Sequence, residues 1–80
     1  MLEGREMTIF GKTLTVHVRY DGKSYDLPFD DLAVTARDSD DAIREALARH
    51  FDVSTATFRP FVVERHRTGN VTVRPEAVFG

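Results

Sequence analysis

The strongest constraint in this sequence is the dipeptide Asp21-Gly22 and what flanks it. In Thr13-Leu14-Thr15-Val16-His17-Val18-Arg19-Tyr20 the apolar residues hold every even position, the period of a strand with one buried face. In Lys23-Ser24-Tyr25-Asp26-Leu27-Pro28-Phe29 they move to the odd positions. Asp-Gly suits a two-residue type I′ turn, where both central residues need positive φ. That turn sets Val18 opposite Tyr25, Val16 opposite Leu27 and Leu14 opposite Phe29, so every apolar residue meets another. A slip by one residue would send the whole set to the wrong face. The same register puts His17 across from Asp26 on the polar face, as the closer, non-hydrogen-bonded kind of pair. Pro28 has no N–H to offer, so the second strand is expected at a sheet edge or ending there.

The next clear period is helical. Ser39 suits an N-cap, and Asp40 and Asp41 favour the positive end of a helix dipole. Ile43, Ala46, Leu47, His50 and Phe51 recur at three- and four-residue spacing, which predicts a helix from Asp40 to Phe51 with one apolar stripe. His50 is expected to be packed or half-buried on that stripe. Asp40/Arg44 and Glu45/Arg49 are placed to pair along the exposed side. Residues 30–37 read as a connector without a period. Residues 57–67 are rich in β-formers and read as a strand, with Pro60 marking an edge or bulge near its start. Thr68-Gly69-Asn70 is a turn, and Val71-Thr72-Val73-Arg74 alternates before Pro75. A tight turn at Gly69-Asn70 would set Arg65 against Arg74, so a longer connection is expected.

Two hairpins and one helix give an α+β, two-layer ββαββ arrangement, with the helix on one face of a small mixed sheet. Eighty residues suffice for a single small domain, expected over residues 9–80 behind a flexible extension, residues 1–8. Most apolar side chains are then needed for the core, with Val16, Val18, Leu27, Ile43, Leu47 and Phe51 shared between hairpin and helix. Functional surface is left to sheet edges, the outer sheet face and loops.

This order resembles that of the ubiquitin-like β-grasp group, which includes ubiquitin and small sulfur carriers. The likeness covers roughly Ile9 to Val73, and Met7-Thr8-Ile9-Phe10-Gly11-Lys12-Thr13-Leu14-Thr15 is similar to the opening of ubiquitin. Val63-Glu64-Arg65-His66-Arg67-Thr68 resembles a strand of the small ubiquitin-like subunit of aromatic monooxygenases. The resemblance implies a last strand lying centrally in the sheet, a place left here to Ala77 to Phe79. Carrier and modifier members end in Gly-Gly, whereas this chain ends Ala77-Val78-Phe79-Gly80. A carrier activated at the Gly80 carboxylate is therefore the alternative function rather than the first.

Chemistry-bearing motifs are sparse. With no cysteine there is no disulfide framework, thiolate zinc site or cysteine nucleophile. His17, His50 and His66 fall in three elements without ligand spacing, so no metal is expected. The aspartates lie in turns, caps and the connector, where local hydrogen bonding favours them. No serine has a nucleophile-elbow context and no glycine-rich loop is present. Neither a catalytic site nor a cofactor is expected. No apolar run could span a bilayer, and residues 1–7 lack the apolar stretch of a secretory signal, so a cytoplasmic protein is expected.

Charge is unevenly spread. Residues 20–41 hold seven aspartates against Lys23 and Arg37, while residues 58–74 hold four arginines against Glu64. Such a surface suits a protein partner of mixed charge better than a polyanion. Arg59, Phe61, Arg65 and Arg67 interleave arginine with an aromatic, as nucleic-acid platforms do. One aromatic and a pI near 5.8 weigh against that third reading. The expected function is a non-catalytic protein-interaction module, a monomer or weak dimer. Its contacts are expected on the outer face of the first hairpin (Thr15, His17, Arg19, Ser24, Asp26) and an arginine strand (Arg59, Arg65, Arg67).

Overall fold

Asp21 and Gly22 both take positive φ, 55° and 76°, and close a hairpin between β1 (Thr15–Tyr20) and β2 (Lys23–Pro28). The register is the expected one, with Val18 opposite Tyr25, Val16 opposite Leu27 and His17 opposite Asp26. The Phe29 N–H still donates to the Leu14 carbonyl at 2.9 Å, but Phe29 itself opens a short helix rather than extending the strand. The computed structural model describes residues 14–76 of the chain; the expected extension over residues 1–8, the short strand at Ala77 to Phe79, and Gly80 lie outside them.

Where a featureless connector was expected, one helical turn forms: α1 (Phe29–Leu32). It buries Phe29 and Leu32 and ends on Ala33 in the left-handed region. Two apolar anchors there outweigh the absence of a periodic pattern. The main helix, α2 (Asp40–Phe51), has the predicted bounds, and the Ser39 hydroxyl accepts from the Ala42 N–H at 3.1 Å. Asp52 terminates it in the left-handed region, a conformation aspartate tolerates where glycine is absent.

Ile43, Ala46, Leu47 and Ala48 are buried, whereas His50 is exposed and only its ring edge meets Phe51, at 5.0 Å. Leaving polar His50 in solvent avoids a desolvation cost that neighbouring Ala48 does not carry. Arg44 pairs with Asp41 rather than Asp40, because Asp40 is taken by Arg65.

The predicted strand over residues 57–67 is shorter and begins later. Ser54 caps a second single turn, α3 (Thr55–Phe58), accepting from the Ala56 N–H at 3.1 Å. This turn drives Phe58 into the core at 0% exposure. Pro60 then precedes β3 (Phe61–Arg65), and β4 (Val71–Pro75) follows after a five-residue connection. The longer connection sets Arg65 opposite Val71 and Arg74 opposite Val62, which separates the two arginines. The expected ββαββ chain thus carries two additional helical turns.

The four strands form one mixed sheet in the order β2-β1-β4-β3, with both Pro28 and Pro60 belonging to edge strands or their approaches. Strand β4 runs parallel to β1, with Val16 beside Val71 and Val18 beside Val73. The central place left to Ala77–Phe79 is therefore filled by β4 itself. Valines 16, 18, 71 and 73 form the inner face against Ile43, Ala46 and Leu47 of α2, all at 2% exposure or less. Each valine, isoleucine and leucine of this set contributes about 1.5–3 kcal/mol by leaving water. Leu27 and Phe51, expected in the core, are half-buried at its margin. Phe51 there packs with Tyr20, Tyr25 and Phe58, with ring centroids 5.0, 5.0 and 5.9 Å apart.

Candidate functional site

Alternation along each strand decides what the sheet face opposite α2 carries. From β1 come Thr15, His17 and Arg19; from β2, Ser24 and Asp26; from β4, Thr72 and Arg74; from β3, Val62 and Glu64. Register stacks these into rows across the sheet. One row runs Asp26, His17, Thr72, Glu64. Beside it lies a second: Ser24 and Arg19 as a direct pair, then Arg74 and Val62 as another.

Hydrogen bonds tie the rows together. His17 Nδ1 lies 2.6 Å from Asp26 Oδ1, an ion pair whenever the imidazole is charged. His66 Nε2 lies 2.7 Å from the Thr72 hydroxyl, so two histidines that share no sequence spacing reach the same face. Arg74 Nε donates to Glu64 Oε1 at 3.2 Å. That guanidinium, by hydrogen bond and by charge, holds the Glu64 carboxyl below its ordinary value. Among the described residues Arg19 reaches only the Ser24 hydroxyl, at 3.4 Å. Each carboxylate of the face therefore has a basic side-chain partner, His17 for Asp26 and Arg74 for Glu64, while among the described residues Arg19 has no carboxylate partner. A shallow concavity of about 200 Å³ opens here, lined by His17, Arg19, Ser24, Asp26, Thr72 and Arg74 among others.

All five hairpin residues expected to make contacts lie on this one face. Thr15 is half-buried, and its N–H donates to Asn70 Oδ1 at 3.0 Å. The expected arginine strand does not form, because α3 and Pro60 remove its first residue and the connection removes its last. Arg59 instead lines a hollow of about 330 Å³ with Asp41, Arg44, Glu45 and Thr55. Arg67 is exposed in the connection between β3 and β4. Arg65 sits on the inner row of β3 and holds Asp40 Oδ1 at 2.8 Å and the Asp38 carbonyl at 2.7 Å. Its role is a strap between the sheet and the start of α2.

Sequence reasoning missed Thr72, Arg74 and Glu64 as members of the face. Their alternation was readable, but nothing local says that β4 lies beside β1. Among the described residues no three His, Cys, Asp or Glu side chains are grouped to hold a metal ion, and no helix is long and apolar enough to cross a membrane. Comparison of the chain with protein-family models, curated proteins and solved structures finds no match.

Proposed function

We propose that the chain is a non-catalytic protein-interaction module with a ubiquitin-like β-grasp fold, recognising its partner through the sheet face opposite α2. The strand order β2-β1-β4-β3, with parallel β1 and β4 in the middle and one long helix across the sheet, supports the fold reading. Its central last strand is the feature the resemblance implies. One observation carries the functional reading: a sheet face that no described element covers, on which His17–Asp26 and Arg74–Glu64 are paired while Arg19 has no carboxylate among the described residues. Charged and hydrogen-bonding side chains held in register on a sheet discriminate between partners by matching and by repulsion. They also reach the surface without the desolvation that a buried polar cluster would cost.

The test is affinity capture from the native host with the full chain, followed by variants. Thr72→Arg combined with Arg74→Ala alters the face; Glu45→Lys alters the helix side; a third variant lacks Phe79 and Gly80. A partner retained by the last two and lost with the first is the expected result. Loss on removing Phe79 and Gly80 alone, with folding intact, would instead establish a carrier working through its terminal carboxylate.

A further inference from the structure

The two edges of the sheet are treated differently. The His66 N–H donates to the Asn70 carbonyl at 2.9 Å, which fixes the phase of the β3–β4 ladder. By that phase Phe61, Val63 and Arg65 turn their backbone groups away from β4, toward the free edge. That edge is guarded: Arg44 Nε donates to the Phe61 carbonyl at 2.9 Å, and the Arg65 side chain is folded onto Asp40 and the Asp38 carbonyl.

At the opposite edge, the 2.9 Å bond from Phe29 N–H to the Leu14 carbonyl fixes the β1–β2 phase. Ser24 and Asp26 are the residues whose N–H and C=O point outward from β2. Among the described residues nothing hydrogen-bonds to those four groups. An unpaired edge of this kind is a template for another strand.

We propose that β2 is a self-association edge, at which two copies of this chain pair antiparallel about a two-fold axis to make one continuous sheet. The outward phase allows only registers that pair even-numbered residues, and charge chooses among them. Setting Asp26 against Asp26 of the partner subunit brings like charges face to face. Setting Ser24 against Ser24 leaves each Asp26 opposite the Gly22 turn, where the strand has ended. Only the pairing of Ser24 with Asp26 of the partner subunit uses all the outward groups, forming four backbone hydrogen bonds.

Side chains on both faces agree with that register. On the outer face each row then reads Arg19, Ser24, Asp26 of the partner subunit, His17 of the partner subunit. Arg19, which among the described residues has only a 3.4 Å hydroxyl contact, gains a carboxylate one strand beyond Ser24, twice over by symmetry. On the inner face the two Tyr25 side chains meet at the axis, beside the Phe51 ring that each contacts edge-on at 5.0 Å. Pro28, which lacks an N–H, falls outside the paired segment in both copies. The interface is small, which makes it a weak and reversible one.

Sedimentation equilibrium of the full chain, carried up to about 1 mM, the scale of a weak interface, reads the association. A reversible monomer–dimer equilibrium is expected. Asp26→Arg, which opposes Arg19 of the partner subunit, should weaken it at least about tenfold, equal to about 1.4 kcal/mol. Adding Arg19→Asp to that variant should restore it, since the charges are exchanged. Independently of folding in the variants, amide exchange on the unaltered chain should show concentration-dependent protection at Ser24 and Asp26, with none gained at Val63 and Arg65. A chain that stays monomeric throughout, association undiminished by Asp26→Arg in a folded variant, or protection gained at the β3 edge would each overturn the proposal.

Discussion

The two hairpins of this sheet reach similar geometry by different means. In β1–β2 the turn residues sit at φ 55° and 76°, and strand alternation on both sides agrees with the register they impose. Nothing outside residues 14–29 is needed to specify it. In β3–β4 a five-residue connection is held by the Gly69 N–H to the His66 carbonyl at 2.9 Å and by Asn70 Oδ1 on the Thr15 N–H at 3.0 Å. The second of those bonds crosses to a strand 55 positions away in sequence. One hairpin is specified by its turn, the other by its neighbours. The first should therefore respond mainly to changes in its turn and the second to changes elsewhere in the molecule.

The severest disruption should come where the two hairpins share a support. Leu47 projects from α2 and is wholly buried in the core that both hairpins share. Leu47→Ala should cost about 2–5 kcal/mol in denaturant unfolding, by lost burial and the cavity left behind. A cost below about 0.5 kcal/mol is what an exposed site gives and would remove Leu47 from the shared core.

Glycine replacement separates the hairpins more finely. At Gly22 an added Cβ meets nothing within 4 Å, so Gly22→Ala costs only the strain of positive φ, about 1–2 kcal/mol. At Gly69, φ is 99° and an added Cβ would stand 2.9 Å from Leu14 Cδ2, at the start of the other hairpin. Gly69→Ala should cost more than Gly22→Ala, and matched thermal melts of the two variants decide the order. Equal losses would mean that Leu14 moves aside freely.

Smaller again is the tie between hairpins. Asn70→Ala removes the acceptor for the half-buried Thr15 N–H and should cost about 1 kcal/mol. Asp21→Asn, a residue equally suited to a type I′ turn, should stay within about 0.5 kcal/mol. If Asn70→Ala proved as harmless as Asp21→Asn, the tie to β1 would not hold the second hairpin and the contrast between local and distant specification would fail.

The smallest effect is one of pH, within the second hairpin. Arg74 lowers the folded Glu64 pKa beneath its ordinary 4.5. The stabilisation is therefore present above the unfolded value and lost as pH falls through the lowered folded one. The pair is exposed and screened, so a titration followed by NMR reads it better than a melt does. Arg74→Gln should return the Glu64 midpoint upward; an unmoved midpoint would mean that the two side chains do not interact in solution.

What could be read from the chain alone is what local chemistry decides. Asp21-Gly22 with alternating flanks dictated the register of the first hairpin, including His17 beside Asp26, though not that Phe29 would open a helix. Ser39 and the three-four spacing after it dictated the start and the buried stripe of α2, whereas its stop on a left-handed Asp52 had no glycine to announce it. The single turns α1 and α3 were hidden, because four residues are too few for a period. Phe58 was read as a β-former, and it is the burial of its ring, made possible by the Ser54 cap, that turns the backbone helical there.

The outer face was half legible. Parity assigned Thr15, His17, Arg19, Ser24 and Asp26 to it, since side-chain direction along a strand depends only on the strand. Thr72, Arg74 and Glu64 joined them only through the parallel pairing of β4 with β1. Register placed Arg65 on the opposite row of β3, where Asp40, 25 positions earlier in the chain, receives it. Which strands become neighbours is settled by burying valines 16, 18, 71 and 73 together under α2. That free energy belongs to the whole core, and no window of sequence contains it.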